Sequence, residues 1–389
     1  MRDSETSMPE AYIVEALRSP VGRRGGGLSA LHPNDLGGRI LAALVERTGI
    51  DPAAVDDVIF GCVGQMGAQS ANVARNAWLS AGLPESVPAT TVDRQCGSAQ
   101  QAIHFAAQAV LSGTQDLVIA GGLEVMSRVP IASPAVVGQR EGMGFPYDGE
   151  GWRNRYGDQE ISQFRGAELI AEKWSVSRED MEELALDSHQ RALAAIDDGA
   201  FTAEIVPVDG LAADEGPRPD SSLEKMAGLK PLREGGRITA AVSSQISDGA
   251  CALLLASEQA VRTHGLTPLA RIQAMAVVGS DPVFMLTGPI PATEAVLAKA
   301  GVEIDDVDLF EVNEAFASVV LAWLKETGAP WPKTNVLGGA IALGHPLGAT
   351  GARLMTTMLH HLGRTGGRYG LQTMCEGGGM ANATLVERL

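Results

Sequence analysis

The chain has no run approaching ~18 consecutive apolar residues, the length needed to cross a bilayer, so no membrane span is expected. Its first ten residues, "MRDSETSMPE", lack an apolar signal core and are too acidic for a transit peptide. They read as a short frayed tail ahead of Ala11. The closing residues "LVERL" are not a peroxisomal address, so a cytoplasmic protein is expected. Positive charge is scarce: 30 Lys and Arg stand against 47 Asp and Glu, a formal net charge of -17. So acidic a protein repels nucleic-acid phosphates unless it concentrates a basic face. No such face with interleaved aromatics occurs, which removes nucleic acid as a partner. Cysteine is sparse too. Cys62, Cys96, Cys251 and Cys375 lie far apart, with no C-x-x-C pair and no metal-ligand cadence. Neither a metal site nor a disulfide framework is expected in a reducing compartment, although reactive thiols are left open.

What is present is ordinary for a soluble globular protein. The 389 residues are 45% hydrophobic and 20% charged, enough for two or three domains around a large core. The chain repeats itself at long range. "GIDPAAVDDVIFG" from Gly49 matches "GVEIDDVDLFEVN" from Gly301, "AYIVEA" at Ala11 matches "ARIQAM" at Ala270, and "DLVIAGG" from Asp116 has a counterpart in "RYGLQTMCEGGG" from Arg368. Each half alternates short β-branched runs with amphipathic stretches, the grammar of an α/β protein. Ile103, Ala106, Ala107, Val110 and Leu111 fall at helical spacing after Cys96, with Gly113 as the stop. Leu354, Met358, Leu359 and Leu362 repeat that spacing, with an end expected at Gly363. From about Leu123 to Ser244 the composition shifts to charge, Pro and Gly, with one good helix from about Arg178 to Asp197. This stretch reads as an insertion, after which "DGACALLLAS" from Asp248 returns as a buried strand.

Four clusters carry chemistry, each where a strand or loop meets a helix. In "VDRQCGSAQQAI", Cys96 opens a helix whose unpaired N–H groups favour thiolate over thiol; by itself the segment fits a buried, inert cysteine equally well. In "NVLGGAIALGHPLGATGAR", His345 is followed by Pro346 within a glycine-rich loop, a better setting for a base than for a core histidine. It is not a nucleotide-binding Walker loop, since no Lys-Ser/Thr follows the glycines. In "TMCEGGGMANA", Cys375 ends an apolar strand, and Gly377 and its neighbours could turn N–H groups towards a thioester oxygen. In "EVNEAFA", Asn313 and Glu314 end the repeated strand, where Asn313 could equally cap a helix.

These four segments, in this order and spacing, resemble the thiolase family over nearly the whole chain. The resemblance implies a thiolase fold: two similar α/β halves in a layered αβαβα arrangement with an inserted loop domain. The expected division is an N-terminal half over 1–122 completed by 245–267, a CoA-binding loop domain over 123–244, and a C-terminal half over 268–389. It further implies Cys96 as nucleophile, His345 as the group taking its proton, and Cys375 as proton donor to the acetyl-CoA enolate. Asn313, through a held water, and His345 would form one oxyanion hole; the N–H groups of Cys96 and Gly377 would form a second. The activity implied is ping-pong thiolytic cleavage of a 3-ketoacyl-CoA, with coenzyme A as substrate and no metal or prosthetic group. Homodimers or homotetramers are the family's usual assemblies.

For CoA, the region Pro217 to Arg237 holds five basic residues against three acids. By alignment with the family, Arg218 falls where adenine is met and Ser244 where pantetheine passes; a solvated loop with ordinary charges is the plainer alternative. Several positions depart from the commonest pattern. Asp93 stands where an Asn often precedes the Arg, Val242 replaces an Asn, and Gln159 and Glu160 replace the His-Met of biosynthetic acetoacetyl-CoA thiolases. "DRQCGSAQQAIHFAAQAV", "SSQISDGA" and "QTMCEGGG" look like actinobacterial degradative thiolases, those of steroid side chains included. A biosynthetic thiolase is the nearest rival. Ketosynthases use two histidines, a Cys-His-Asn hydrolase leaves Cys375 unexplained, and a silent acyl-CoA-binding subunit would not need all four reactive positions.

Overall fold

The apolar alternation that begins at Ala11 opens the first half of the molecule as strand β1 (Ala11–Arg18), followed by the two-residue β2 (Gly22–Arg23). The computed structural model describes residues 9–389, so all but the last two residues of the expected N-terminal tail lie outside the described residues. Helix α1 (Pro33–Thr48) starts with proline at its first position, and Gly49, in the left-handed region, ends it. Next come β3 (Asp57–Gly61), α2 (Val73–Ser80), β4 (Ala89–Val92), α3 (Ser98–Leu111) and β5 (Leu117–Val125).

The insertion supplies α4 (Ser133–Arg140), α5 (Glu150–Tyr156), α6 (Gln163–Lys173), α7 (Arg178–Asp197) and α8 (Leu223–Ala227). The chain then returns as β6 (Ser247–Ser257) and α9 (Glu258–His264). The second half is β7 (Ala270–Gly279), α10 (Pro289–Ala300), β8 (Leu309–Val312), α11 (Ala317–Thr327), α12 (Ala340–Leu343), α13 (Leu347–Thr365), β9 (Tyr369–Glu376) and β10 (Met380–Arg388).

The strands form one sheet in the order β4-β3-β5-β6-β1-β7-β10-β9-β8, joined across the halves where Tyr12 and Ile13 pair with Arg271 and Ala270. Read outwards from that joint, β1-β6-β5-β3 is matched by β7-β10-β9-β8, which is the duplication expected from the repeats. A parallel bridge from Phe310 to Thr334 stands where β4 stands in the first half. Helices α1 and α2 pack on the outer face of the first half, and α10 and α11 on that of the second. Helices α3 and α13 lie side by side between them, and the core there takes residues from both halves, from Ile13 and Ile103 to Met355 and Val386. That is an αβαβα stack. Burying a large aliphatic side chain such as these stabilises by roughly 1.5–3 kcal/mol.

Two expectations need correcting. Helix α13 does not stop at Gly363 but runs to Thr365, where Gly366 (φ 76°) donates its N–H to the Leu362 carbonyl and turns the chain out. Gly363 has open space about it, so a glycine there costs helix propensity without breaking the helix. Strand β5 runs beyond Gly122, because Leu123, Glu124 and Val125 still pair with Ala250, Gly249 and Asp248.

The insertion leaves the first half but packs on the second. Phe164 stacks edge-on against Phe316, and Ser318 donates to the Ala167 carbonyl. Ser188 of α7 donates to Glu314 at 2.7 Å. Its return is pinned by buried Arg18, which meets Glu204 at 2.5 Å and Asp214 at 2.7 Å.

Candidate active site

Helices α3 and α13 begin together, and glycines permit the contact. A Cβ on Gly61 would come within 2.5 Å of the Ala99 nitrogen and 2.6 Å of the Gly348 oxygen. One on Gly348 would come within 2.6 Å of Cys62 Cα and 2.7 Å of the Leu123 oxygen. Cys96 lies two residues before α3 and His345 two before α13, so the paired helix starts carry both into the centre of the molecule. Cys375, near the end of β9, and Asn313, just past β8, arrive from the adjoining parallel strands; the Asn313 N–H donates to the Thr373 carbonyl at 3.1 Å.

Cys96 is held by a tight turn. Gln95 takes a left-handed φ of 49°, strained for a non-glycine. The Asp93 carboxylate accepts its N–H at 2.8 Å, and the Ser98 hydroxyl accepts the Arg94 N–H at 2.9 Å. The N–H groups of Gly377 and of Cys96 itself are directed at the Cys96 sulfur. Burial nevertheless pushes the Cys96 thiol up to about 12, and the Glu376 carboxylate adds to the shift. The expectation that the helix start would favour a resident thiolate is thus overturned, because desolvation outweighs those N–H groups. Cys375 is fully buried; burial first, then the proximity of Cys96 and Glu376, raises its thiol well above the ordinary range.

His345 is buried, and burial, aided by the charge of Arg353, lowers it to about 3, so the ring is neutral at physiological pH. Its tautomer follows from its neighbours. Nδ1 lies 2.6 Å from Thr350 Oγ1, and that hydroxyl is 2.9 Å from the Pro346 carbonyl. A carbonyl only accepts, so the hydroxyl hydrogen goes to Pro346 and Nδ1 must carry the proton. Nε2 is then the unprotonated nitrogen, facing Asn313 Nδ2 at 3.4 Å. Asn313 does not cap a helix: Phe316 precedes α11, and Asn313 Oδ1 is buried without a protein partner.

The structure brings Cys96, Cys375 and Gly377 into one group, with His345 and Asn313 at the adjoining helix start and strand end. Arg218 stands apart. It lines a cleft of about 170 Å³ with His189, Ser222, Lys225, Ala241 and Gln245. Ser244 bridges the two places: it follows Ala241 and precedes Gln245 of the cleft, and its N–H donates to the Ala315 carbonyl two residues past Asn313. The Gln245 carbonyl in turn accepts the His345 N–H at 3.1 Å. Among the described residues no group of three or more His, Cys, Asp or Glu is arranged to hold a metal ion.

Sequence reasoning missed Thr350 and Glu124. Thr350 lies inside the glycine-rich motif, but its role shows only once the helix sets it over the imidazole. Glu124 is buried and accepts N–H groups from Val63, Gly64 and Gly348 at 2.9, 3.0 and 3.0 Å and the Gln69 amide at 2.6 Å. It ties the His345 loop to the first half through contacts that no local pattern announces. His189, whose Nδ1 accepts the Arg218 N–H at 3.2 Å, gave no signal either.

Comparison with known proteins finds likeness over nearly the whole chain. The family model for the thiolase N-terminal domain matches residues 11–259, and that for the thiolase C-terminal domain matches residues 266–388. The chain is 62% identical over 387 residues to a steroid 3-ketoacyl-CoA thiolase of Mycobacterium tuberculosis, covering 98% of this chain and 95% of that one. It is 44% identical over 403 residues to a 3-oxoadipyl-CoA/3-oxo-5,6-dehydrosuberyl-CoA thiolase of Escherichia coli, covering 98% and 100%. The crystal structure of the Bacillus anthracis acetyl-CoA acetyltransferase matches with a TM-score of 0.88 at 37% identity, covering 99% of this chain and 100% of that one.

Proposed function

This chain belongs to the thiolase family, and from that premise we propose that Cys96, His345 and Cys375 are the groups through which it works. The enzyme cleaves a 3-ketoacyl-CoA thiolytically into acetyl-CoA and a shortened acyl-CoA, with coenzyme A as substrate. The observation that carries the assignment of roles is that the half-buried Cys96 sulfur, faced by the Gly377 N–H, and the buried Cys375 sulfur act on one another, while His345, at the paired helix start, has an Nε2 free of its proton.

Cys96 Sγ adds to the keto carbon while its proton passes to His345 Nε2. The bond between the keto carbon and the α-carbon breaks, and its electron pair leaves as the enolate of acetyl-CoA. Cys375 protonates that carbon and becomes the thiolate. The imidazolium N–H and a water on Asn313 Oδ1 hold the enolate oxygen, a donor set worth roughly 3 kcal/mol for each member. Free CoA then gives its thiol proton to Cys375 and attacks the acyl-enzyme, whose carbonyl oxygen is held by the N–H groups of Cys96 and Gly377. Cys96 leaves and recovers its proton from His345, so protons balance over the two half-reactions. Since the free enzyme holds Cys96 as a thiol, proton transfer accompanies attack rather than preceding it.

Residues 123–244 receive CoA, with Arg218 at its adenine end and Ser244 beside the pantetheine. The chain of contacts from the Arg218 cleft through Gln245 and Ser244 to Asn313 and His345 supports that path. The acyl group is larger than acetoacetyl and of the kind released in lipid and steroid breakdown. The likeness to the Mycobacterium tuberculosis enzyme supports this, as does the fate of the Gln159-Glu160 pair. Both residues are exposed, and Glu160 is paired with Arg233 at 2.5 Å. No helix among the described residues is long and apolar enough to cross a membrane; we place the enzyme in the cytoplasm as a homodimer or homotetramer. Thiolysis rates across a ladder of 3-ketoacyl-CoAs from four carbons to steroid-sized test the substrate. The rate should rise with size, and fastest turnover on acetoacetyl-CoA would favour the biosynthetic reading instead.

A further inference from the structure

Glu376 follows Cys375 in the chain, yet neither mechanism nor packing uses its charge. The residue is fully buried, and both carboxyl oxygens are without a hydrogen-bond partner. A buried, unpartnered carboxylate is costly, so the group must do something or be neutral. Its side chain lies across the backbone of Gly97: a Cβ added there would collide with Oε1. The carboxyl is therefore wedged between the turn that carries Cys96 and the strand end that carries Cys375.

The groups that face it are few. The β4–α3 turn contributes Arg94 and the Cys96 thiol, on which Asp93 also acts, and β9 contributes Cys375; β10 offers only the Asn382 backbone N–H. Arg94 is the cation that acts on it, but the two form no salt bridge. The Arg94 Nη1 instead lies 3.7 Å from the Met380 sulfur, and its Nε is buried without a partner. His345, on the α12–α13 loop, is neutral and adds no charge. Burial pushes Glu376 up to about 8 against the opposing pull of Arg94. Its ionised form raises both Cys96 and Cys375, so the three acids titrate as a coupled set.

We propose that Glu376, wedged between the Cys96 turn and the Cys375 strand end, is a positioning residue acting by charge: while neutral it lets the two sulfurs pass protons during catalysis, and once ionised it holds both as thiols and turns the site down. The proposal rests on the roles given above to Cys96 and Cys375. It also explains why glycine follows Cys96, since any side chain there would displace the carboxyl.

The test uses the full-length enzyme and Glu376→Gln, which keeps the shape and removes the charge. Alkylation of Cys96 by iodoacetamide is followed against pH by peptide mass spectrometry. In the Gln variant the curve should move to lower pH, with alkylation about tenfold faster at pH 9, the effect of roughly one pKa unit. It should also rise as a single ionisation, whereas the wild-type curve is spread over a wider range. In parallel, wild-type kcat/KM for thiolysis should fall above about pH 8, and the Gln variant should lose that limb. Superimposable alkylation curves would overturn the proposal. Should Glu376→Gln not fold, Arg94→Gln gives the converse test. Without that cation Glu376 ionises later, so the alkaline limb of kcat/KM moves to higher pH, and an unmoved limb overturns the proposal. Alkylation reports the coupling whether or not Cys96 carries acyl groups. Superimposable alkylation curves with acyl transfer intact thus refute Glu376 alone, while a missing acyl-enzyme refutes the parent reading.

Discussion

Replacing Thr350 by Val removes one hydroxyl while keeping a β-branched side chain of nearly the same volume, and it tests how the imidazole is set for its task. In the native protein Thr350 Oγ1 donates to the Pro346 carbonyl and accepts from His345 Nδ1 at 2.6 Å, which leaves Nε2 as the proton acceptor. In the variant the buried Nδ1–H has no acceptor, a penalty of about 1–3 kcal/mol. The ring escapes it by moving its proton to Nε2, where it blocks the proton transfer from Cys96. At roughly 1.4 kcal/mol per factor of ten, the working tautomer loses about 5- to 150-fold in population. We therefore expect kcat/KM for thiolysis to fall roughly 10- to 100-fold, within the range general base catalysis contributes. The pre-steady-state rate of Cys96 acylation should fall in parallel, with little change in the KM for CoA. Thr350→Ser, which restores the hydroxyl, should recover most of the rate. Thr350→Val acylating at the wild-type rate would refute the argument that this hydroxyl selects the tautomer.

Cys375→Ala should still accept an acyl group from a pre-formed acyl thioester but should lose exchange of the acetyl-CoA methyl protons with solvent. Exchange at the wild-type rate, read by deuterium incorporation, would remove Cys375 from the mechanism. Glu311 is fully buried with Oε2 unpartnered, and burial raises it to about 8. Because the folded value lies above the unfolded one, the stability conferred by its neutral form is complete below about pH 4.5 and is lost as the pH rises through about 8. Glu311→Gln should therefore unfold in urea nearly like the wild type at pH 5 but be more stable at pH 8.5, by on the order of 4–5 kcal/mol. Equal stabilities at the higher pH would contradict this.

Much of this architecture is legible before any coordinates. Arg178–Asp197 stands in the sequence as a helix because Ser177 and Asp180 form a capping box ahead of a periodic run, and the structure forms both halves of that box. The duplication is legible because each half must rebuild the same strand–helix layers, so Asp57–Gly61 and Leu309–Val312 both follow a Gly-led acidic segment as short buried strands. Helix ends read less well: Gly363 looks like a stop, but the glycine that ends this helix is the one in the left-handed region, Gly366.

At the site, Cys96, His345 and Cys375 announce themselves as reactive types beside glycines, Gly377 among them, and Asn313 by its place at the end of the repeated strand. Their supports do not, because Glu124 and Gly348, or Ser188 and Glu314, meet only across the fold. The protonation state of Cys96 is hidden for the same reason: a helix start is visible locally, whereas the burial that raises the thiol, and the Glu376 carboxyl that adds to it, are set by the fold.

Cys96 as the acceptor of the acyl group is tested most directly by adding a 3-ketoacyl-CoA longer than acetoacetyl to the enzyme with no free CoA, and weighing the chain and its peptides. One acyl group per active site should be found, located on Cys96, with an equal amount of acetyl-CoA released. An unmodified chain that retains bound acyl-CoA, or an adduct on any other residue, would contradict it.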